Sequence, residues 1–352
     1  MPVHPPEAQQ IAELARLLSA PATTDLPAHR AQELRSHLLT ELTAARPDSV
    51  AVTGTARWAW IGRRPALLLT AAAAAVTAVA LVGGSLTVPD TSPDAAAPVV
   101  AVRAGTTEQL APLMERVANV AQNGPATPIR PEQYVYVRTV GQYAADKYGV
   151  SDSGLPWKLP AAHQREIWLP QQADRPGLIR EPGKTGSMNF DGVPIGIAHP
   201  THAWLAALPT DPQALLSKIY TETADAAAHA ATLGVSKDYV AFEAIGNLVT
   251  ESIIPPAVNA ALYRALARIP GVTVVSDAVD ASGRTGVGVA IVRDDLAQRY
   301  ELIFDQAGAR YLGQRSYLVR DTPNGKAGML TANAAVLARG VADKAGQVPT
   351  TN

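Results

Sequence analysis

Two histidines three apart, in His199-Pro200-Thr201-His202, offer a metal-ligand spacing. Zinc needs three or four ligands, and neither an HExxH helix nor a thiolate accompanies this pair. Pro200 also forbids a regular helical display, so the motif reads as a polar loop. His163 and His229 stand alone. Gly183-Lys184-Thr185 imitates the end of a phosphate loop, but five residues separate Gly177 from Gly183 where that loop has four. No apolar helix follows Thr185 to aim amides at a phosphate. Asp277, Asp280, Asp294, Asp295 and Asp305 could pair for acid–base work. Each stands beside a Gly or polar turn, where an Asp side chain bonds nearby backbone instead. No Gly-x-Ser-x-Gly elbow occurs. The expectation is a protein without catalytic residues, metal or cofactor, and hence not an enzyme.

The remaining chemistry is aromatic. Tyr134, Tyr136, Trp157, Trp168 and Trp204 fall close together in the sequence and could line a cavity for an acyl chain or an apolar peptide. On a strand, Tyr134 and Tyr136 share one face while Val135 and Val137 share the other. Both faces are then partly apolar, which suits a sheet packed on helices on one side and lining a cavity on the other. Ordinary core packing is the competing reading of the same stripe.

Composition narrows the classes further. The 352 residues carry a formal charge of −1 and are only 17% charged, which gives no basic footprint for nucleic acid. Cysteine is absent, excluding disulfides, thiolate sites and a lipid-modified N-terminal cysteine. From Pro65 to Val88 run 24 residues without a charge, able to reach about 36 Å as a helix against a hydrocarbon core of about 30 Å. Arg57, Trp58, Trp60, Arg63 and Arg64 precede the run as membrane-interface anchors, and Asp90 and Asp94 follow it. The Arg excess puts the N-terminal flank in the cytoplasm and the C-terminal part outside. The expected partner is therefore a lipid bilayer, crossed once at the cell membrane.

Residues 1–64 form a short cytoplasmic arm with two amphipathic patterns, Ile11-Leu14-Leu17-Leu18 and Ala31-Leu34-Leu38-Leu42. Neither can bury its stripe alone, so the arm suits docking onto a cytoplasmic protein partner or a partly ordered tail. Residues 89–104 read as a Pro- and Ala-bearing spacer, 105–345 as an exported domain, and 346–352 as a tail. In the domain, Thr107 is positioned to cap a helix with the stripe Leu110, Leu113, Met114, Val117 and Val120. Strands are expected at 134–143, 166–169 and 178–180, and loop throughout 182–209. Helices follow, one capped at Asp211-Pro212, one carrying Phe242, Ile245, Leu248 and Val249, and one starting at Pro255-Pro256. Evenly spaced runs at 272–276, 287–292, 299–304 and 310–319 predict an antiparallel meander. The period of 327–345 fits strand or helix, with strand preferred. The fold class is α+β: an antiparallel sheet with helices on one side, preceded by one transmembrane helix.

Several blocks carry a resemblance. Gln133-Tyr-Val-Tyr-Val-Arg-Thr139, Arg165-Glu-Ile-Trp-Leu-Pro170, Leu208-Pro-Thr-Asp-Pro212, Ala260-Ala-Leu-Tyr-Arg-Ala-Leu-Ala-Arg-Ile-Pro-Gly-Val272 and Glu301-Leu-Ile-Phe-Asp305 are similar to an uncharacterised actinobacterial family of single-pass membrane proteins. The likeness covers about residues 105–320 and implies an anti-sigma-factor-like architecture of cytoplasmic arm, one span and exported domain. The element order also resembles the half-open barrel of periplasmic lipoprotein carriers and sigma-factor regulators, a topological likeness that does not fix function. That family carries no assigned function; the arm's two amphipathic patterns motivate the first reading, a non-catalytic sensing or ligand-binding domain of anti-sigma type with a sigma factor as a candidate partner for the arm. A membrane-tethered lipid or lipoprotein carrier is the alternative, and an exported enzyme the third reading.

Overall fold

The structure, a computed structural model, describes residues 98–144 and 159–349. The segments expected to form the arm and the span, the five expected interface anchors and Trp157 lie outside the described residues. Among those described, no helix is long and apolar enough to cross a membrane.

The domain is one nine-stranded antiparallel sheet in the order β4-β3-β2-β1-β9-β8-β7-β6-β5. Two meanders build it. The first runs outward from β1 (Tyr134–Tyr143) through β2 (His163–Pro170) and β3 (Gly177–Glu181) to an edge at β4 (Lys184–Met188). The second starts at the other edge with β5 (Thr273–Val279) and returns through β6 (Thr285–Arg293), β7 (Gln298–Phe304) and β8 (Tyr311–Leu318). It ends in β9 (Leu330–Ala342), which pairs with both β8 and β1 and joins the halves. The sheet does not close, since β4 and β5 remain at opposite edges.

Among the described residues there are six helices: α1 (Leu110–Gln122), α2 (His202–Ala206), α3 (Pro212–Glu222), α4 (Ala224–Ala231), α5 (Lys237–Glu251) and α6 (Pro256–Leu266). Apolar residues of α1, α2, α3, α5 and α6 form a single buried cluster with Val274, Val289, Ile291, Tyr300, Leu302 and Phe304 of the sheet. Each such side chain taken out of water contributes about 1.5–3 kcal/mol, so this layer dominates the core. Alternation along β7 then sends Arg299, Glu301 and Ile303 to the opposite face, here called the back face. Arg264 of α6 clamps α1 through two bonds to Glu115, of 2.9 and 2.8 Å, and a further one to Asn119.

The predicted strands and the meander register are observed, and 330–342 is strand. Asp211 caps α3 by accepting from the Ala214 amide at 2.8 Å. Corrections fall where periodicity carries no signal. Thr107 does not cap α1: its carbonyl accepts from Leu110, Gln109 occupies the cap position without a side-chain bond, and Val120 is exposed. The stretch 182–209 is not loop throughout. It holds β4, a half-exposed edge strand with no apolar alternation, and α2, too short to show a period. Helix α4 is alanine-rich with no fully buried residue, and lays Ala226, Ala227 and Ala230 against the core, a face that alanine alone marks too weakly to read from sequence. Gly183-Lys184-Thr185 is a hairpin: Glu181 faces Lys184 across Pro182 and Gly183, whose φ of +72° is one glycine adopts freely.

Candidate functional site

The structure divides the predicted aromatic set. Tyr134, Tyr136 and Trp168 cluster with Ala342 on the back face, the Tyr136 and Trp168 rings 5.2 Å apart. Trp204, on α2, packs into the helix layer on the other side. Val135 and Val137 lie on the helix side with Ile167, Leu169 and Phe190, as the alternation required.

On the helix side, α5 leaves a cleft of about 50 Å³ above the sheet, lined by Tyr143, Tyr239, Glu243 and Asn247 with Tyr300 and Gln314. Its character is polar. Tyr300 donates to Gln314 at 2.5 Å, and Thr250, which bonds the Gly246 carbonyl, lies 2.7 Å from the Tyr311 hydroxyl. Gly246 permits this approach, because a methyl there would stand 2.5 Å from the Tyr300 hydroxyl. Pockets for drug-sized ligands measure about 300–1,000 Å³, so the cleft admits ordered water rather than an acyl chain.

The back face carries the more unusual chemistry. Glu301 is fully buried and accepts from Arg315 Nε at 2.6 Å and from the Tyr317 hydroxyl at 2.5 Å. Arg299 adds a bond to Tyr317 at 3.1 Å. These four sit opposite one another in register, Glu301 against Arg315 and Arg299 against Tyr317. Gly288 of β6 makes room: a methyl there would lie 3.0 Å from Glu301 Oε2.

An extended strap, residues 98–106, crosses above this cluster. The Leu330 amide donates to the Pro98 carbonyl at 2.9 Å and the Val100 amide to Gly328 at 2.8 Å. Thr106 exchanges two backbone bonds with Val274, of 3.0 and 2.8 Å, at the β5 edge. Between them, Arg299 Nη1 reaches the Arg103 carbonyl at 2.6 Å, tying the strap to the buried cluster. Glycine permits close seating at both ends, since added methyls would meet Thr273 Oγ1 at 2.3 Å from Gly105 and the Val100 carbonyl at 2.2 Å from Gly328.

The histidines and acids serve local structure. His199 is buried, stacked on Phe190, with Nε2 3.2 Å from the Pro170 carbonyl; burial holds its pKa below the usual range. His202 Nδ1 lies 3.1 Å from the Ile253 carbonyl, while Thr201 caps α2. Asp280 is buried in a turn, accepting from the Ser282 and Arg284 amides. Asp295 pairs with Arg293, and Asp305 accepts from the Ala307 amide. Asp277 departs from the turn expectation: it lies within β5 at a break in register, at φ +57°, and pairs with Arg103 of the strap. Sequence reasoning had singled out none of Arg299, Arg315, Gly105 or Gly328. Part of the signal was available in β7, where Arg299 and Glu301 stand two apart and so share one face, opposite Tyr300 and Leu302.

Buried tyrosines make the fold sensitive to alkali. Burial, reinforced by a carboxylate, pushes Tyr136 (beside Glu166) and Tyr317 (beside Glu301) up to about 12, and burial takes Tyr263 there as well. Their unfolded counterparts release the proton near pH 10. The folded state therefore holds protons that the unfolded state has lost, and stability present below pH 10 declines between pH 10 and 12. Absorbance at 295 nm is expected to show these phenolates only as circular dichroism reports unfolding. A complete phenolate titration at pH 10 with the native spectrum intact would contradict this.

No protein-family model matches the chain, and no curated protein matches it significantly. Among solved structures it is similar to the Pseudomonas aeruginosa MucA/MucB complex, at 12% identity and a TM-score of 0.25, covering 69% of this chain and 59% of that one. MucB in complex with MucA(peri) gives 12% identity and a TM-score of 0.23 over 68% of this chain and 57% of that one. MucB alone gives 12% and 0.24 over 69% and 60%. The chain thus spans less than two thirds of the length of these neighbours, and at such scores the likeness assigns neither family nor function.

Proposed function

We propose that this is a single-pass membrane protein whose exported domain is a non-catalytic sensing module, acting on the cytoplasmic arm as an anti-sigma-type regulator. The strap is the observation that carries the reading. An exported domain that only captured a ligand could hang from a free spacer. Here residues 98–106, the last part of the expected spacer and the two residues after it, are hydrogen-bonded to β9 at one end and β5 at the other, and to the buried cluster between. A partner that favours one arrangement of the sheet would bias the strap, and through it the span and arm. The carrier alternative is less well supported, because among the described residues the helices and sheet bury a continuous apolar cluster, and the cleft beside α5 is small and polar.

The test has two arms. A reporter active only outside the cytoplasm, fused after Asn352, is expected to be active, and one active only inside to be silent; the reverse refutes the topology. Immobilised full-length chain is expected to retain a cytoplasmic partner through residues 1–64, sigma factors being the class to probe. A chain lacking the arm that retains the same partner would sink the regulator reading.

A further inference from the structure

The cluster of Tyr134, Tyr136 and Trp168 on the back face is already occupied. After β9 the chain turns at Asp343, held by Gln133 at 2.8 Å and Arg130 at 3.1 Å, and lays residues 344–349 back over the sheet. The Trp168 indole donates to the Gln347 carbonyl at 2.6 Å. Arg180 stacks on the Trp168 ring, 4.7 Å from its centroid, and directs Nη2 at the Gly346 carbonyl, 3.4 Å away. The buried carboxylate of Glu166 sets this arrangement, accepting from Tyr136 at 2.5 Å and pairing with Arg180 at 3.3 Å.

What the groove selects is backbone shape. Gly346 has φ +86°, where a β-branched residue is strained, although a methyl there would make only ordinary contact with Arg180 and Leu178, at 3.4 and 3.5 Å. Pro349 sits against Gly340 of β9, where a methyl would lie 2.9 Å from its ring. Between them, Gln347 and Val348 are exposed. The segment is bonded to the sheet by side chains that take two carbonyls, and its own backbone bond runs from Gln347 to Lys344. It adds no strand to the ladder. Carbonyl capture by an indole and a guanidinium, with a glycine and a proline at fixed spacing, is a sequence-tolerant recognition device, and an exchangeable one.

We propose that this back-face groove recognises a Gly-x-x-Pro segment of a partner protein entering through a turn at its glycine, and that residues 343–349 are a latch holding the groove until such a segment displaces it. The groove deepens the sensing reading by naming the surface and the partner's chemistry. It stands on contacts that the strap does not share, so a failed topology test and a failed groove test are separable.

The experiment uses two variants of the full chain, one ending at Lys344 and one carrying Gly346→Val, which expels the latch without shortening the protein. The probes are a synthetic peptide of residues 345–352 and an unrelated peptide keeping only Gly-x-x-Pro. Both are expected to bind either variant saturably, at least tenfold more tightly than the intact chain, with a change in indole fluorescence that Trp168→Phe abolishes. Replacing the peptide proline by alanine or its glycine by valine is expected to weaken binding at least tenfold. If the shortened chain does not fold, the Gly346→Val chain decides alone. Equal binding to intact and latch-free chains, or none to Gly346→Val, overturns the proposal. An intact chain that dimerises and becomes monomeric on losing residues 345–352 would assign the groove to a second copy and overturn it too.

Discussion

Glu301→Ala is expected to cost the domain roughly 3–5 kcal/mol, the range for removing one partner of a buried ion pair. Domains of this kind have about 5–15 kcal/mol in total, so the variant should be largely unfolded or protease-sensitive at 37 °C. Glu301 is fully buried and Arg315 is 3% exposed, so water cannot replace the lost carboxylate. Arg315 keeps its charge, Tyr317 loses its acceptor, and both stay beneath the strap. Removing both charges of the Glu301–Arg315 pair, with Arg299 left in place, separates this mechanism from simple loss of packing. The double variant Glu301→Ala/Arg315→Met should regain a substantial part of the loss, because a buried pair replaced by apolar groups is often near neutral. Urea unfolding of the four chains of the cycle measures it. A single variant within 1 kcal/mol of the parent, or a double variant worse than the sum of its parts, would show that the cluster is not a closed charge pair.

The sequence made the framework of this domain readable and left its special contacts hidden, for identifiable reasons. Strand β1 was legible because Tyr134 to Val137 alternates two kinds of apolar side chain, each needing a different layer. Helices α3, α5 and α6 were legible from Asp211-Pro212, an apolar stripe and Pro255-Pro256, signals that act within a turn or two of chain. The Leu262 to Val272 block combines buried Leu262 and Leu266, the Arg264 clamp and a Gly271 turn at φ +81°. By contrast, Arg299 and Arg103 lie 196 residues apart, and Trp168 and Gln347 lie 179 apart. No local pattern announces such contacts, since each is decided by which strand β9 slots beside. The aromatic set was grouped by nearness in sequence. Placing Trp204 on a helix after the first meander sent it to the opposite layer from Trp168.

Gly328→Val should release the strap while leaving the sheet assembled, an effect that separates tether from fold. Gly328 has φ +83°, where a β-branched residue is strained by about 1–3 kcal/mol. The new side chain would also begin 2.2 Å from the Val100 carbonyl and 3.0 Å from Val99 Cγ1, so relaxing the backbone does not clear it. The displaced element is the strap, because Pro98 and Val100 are held there by two backbone bonds, whereas β9 is laddered on both sides. Thr106 stays paired with Val274, and the release stops short of β5. Hydrogen exchange at the Val100 amide should therefore accelerate at least a hundredfold, with amides of β7 and β1 slowed or quickened only by the global change in stability. Protease cleavage between Val99 and Arg103 should rise in parallel. If the strap couples the sheet to the arm as proposed, capture of a partner by the arm becomes insensitive to a ligand of this domain in the variant, even though the domain still folds. An unchanged Val100 exchange rate would mean that the seat at Gly328 is not what holds the strap, and the coupling route would fail with it.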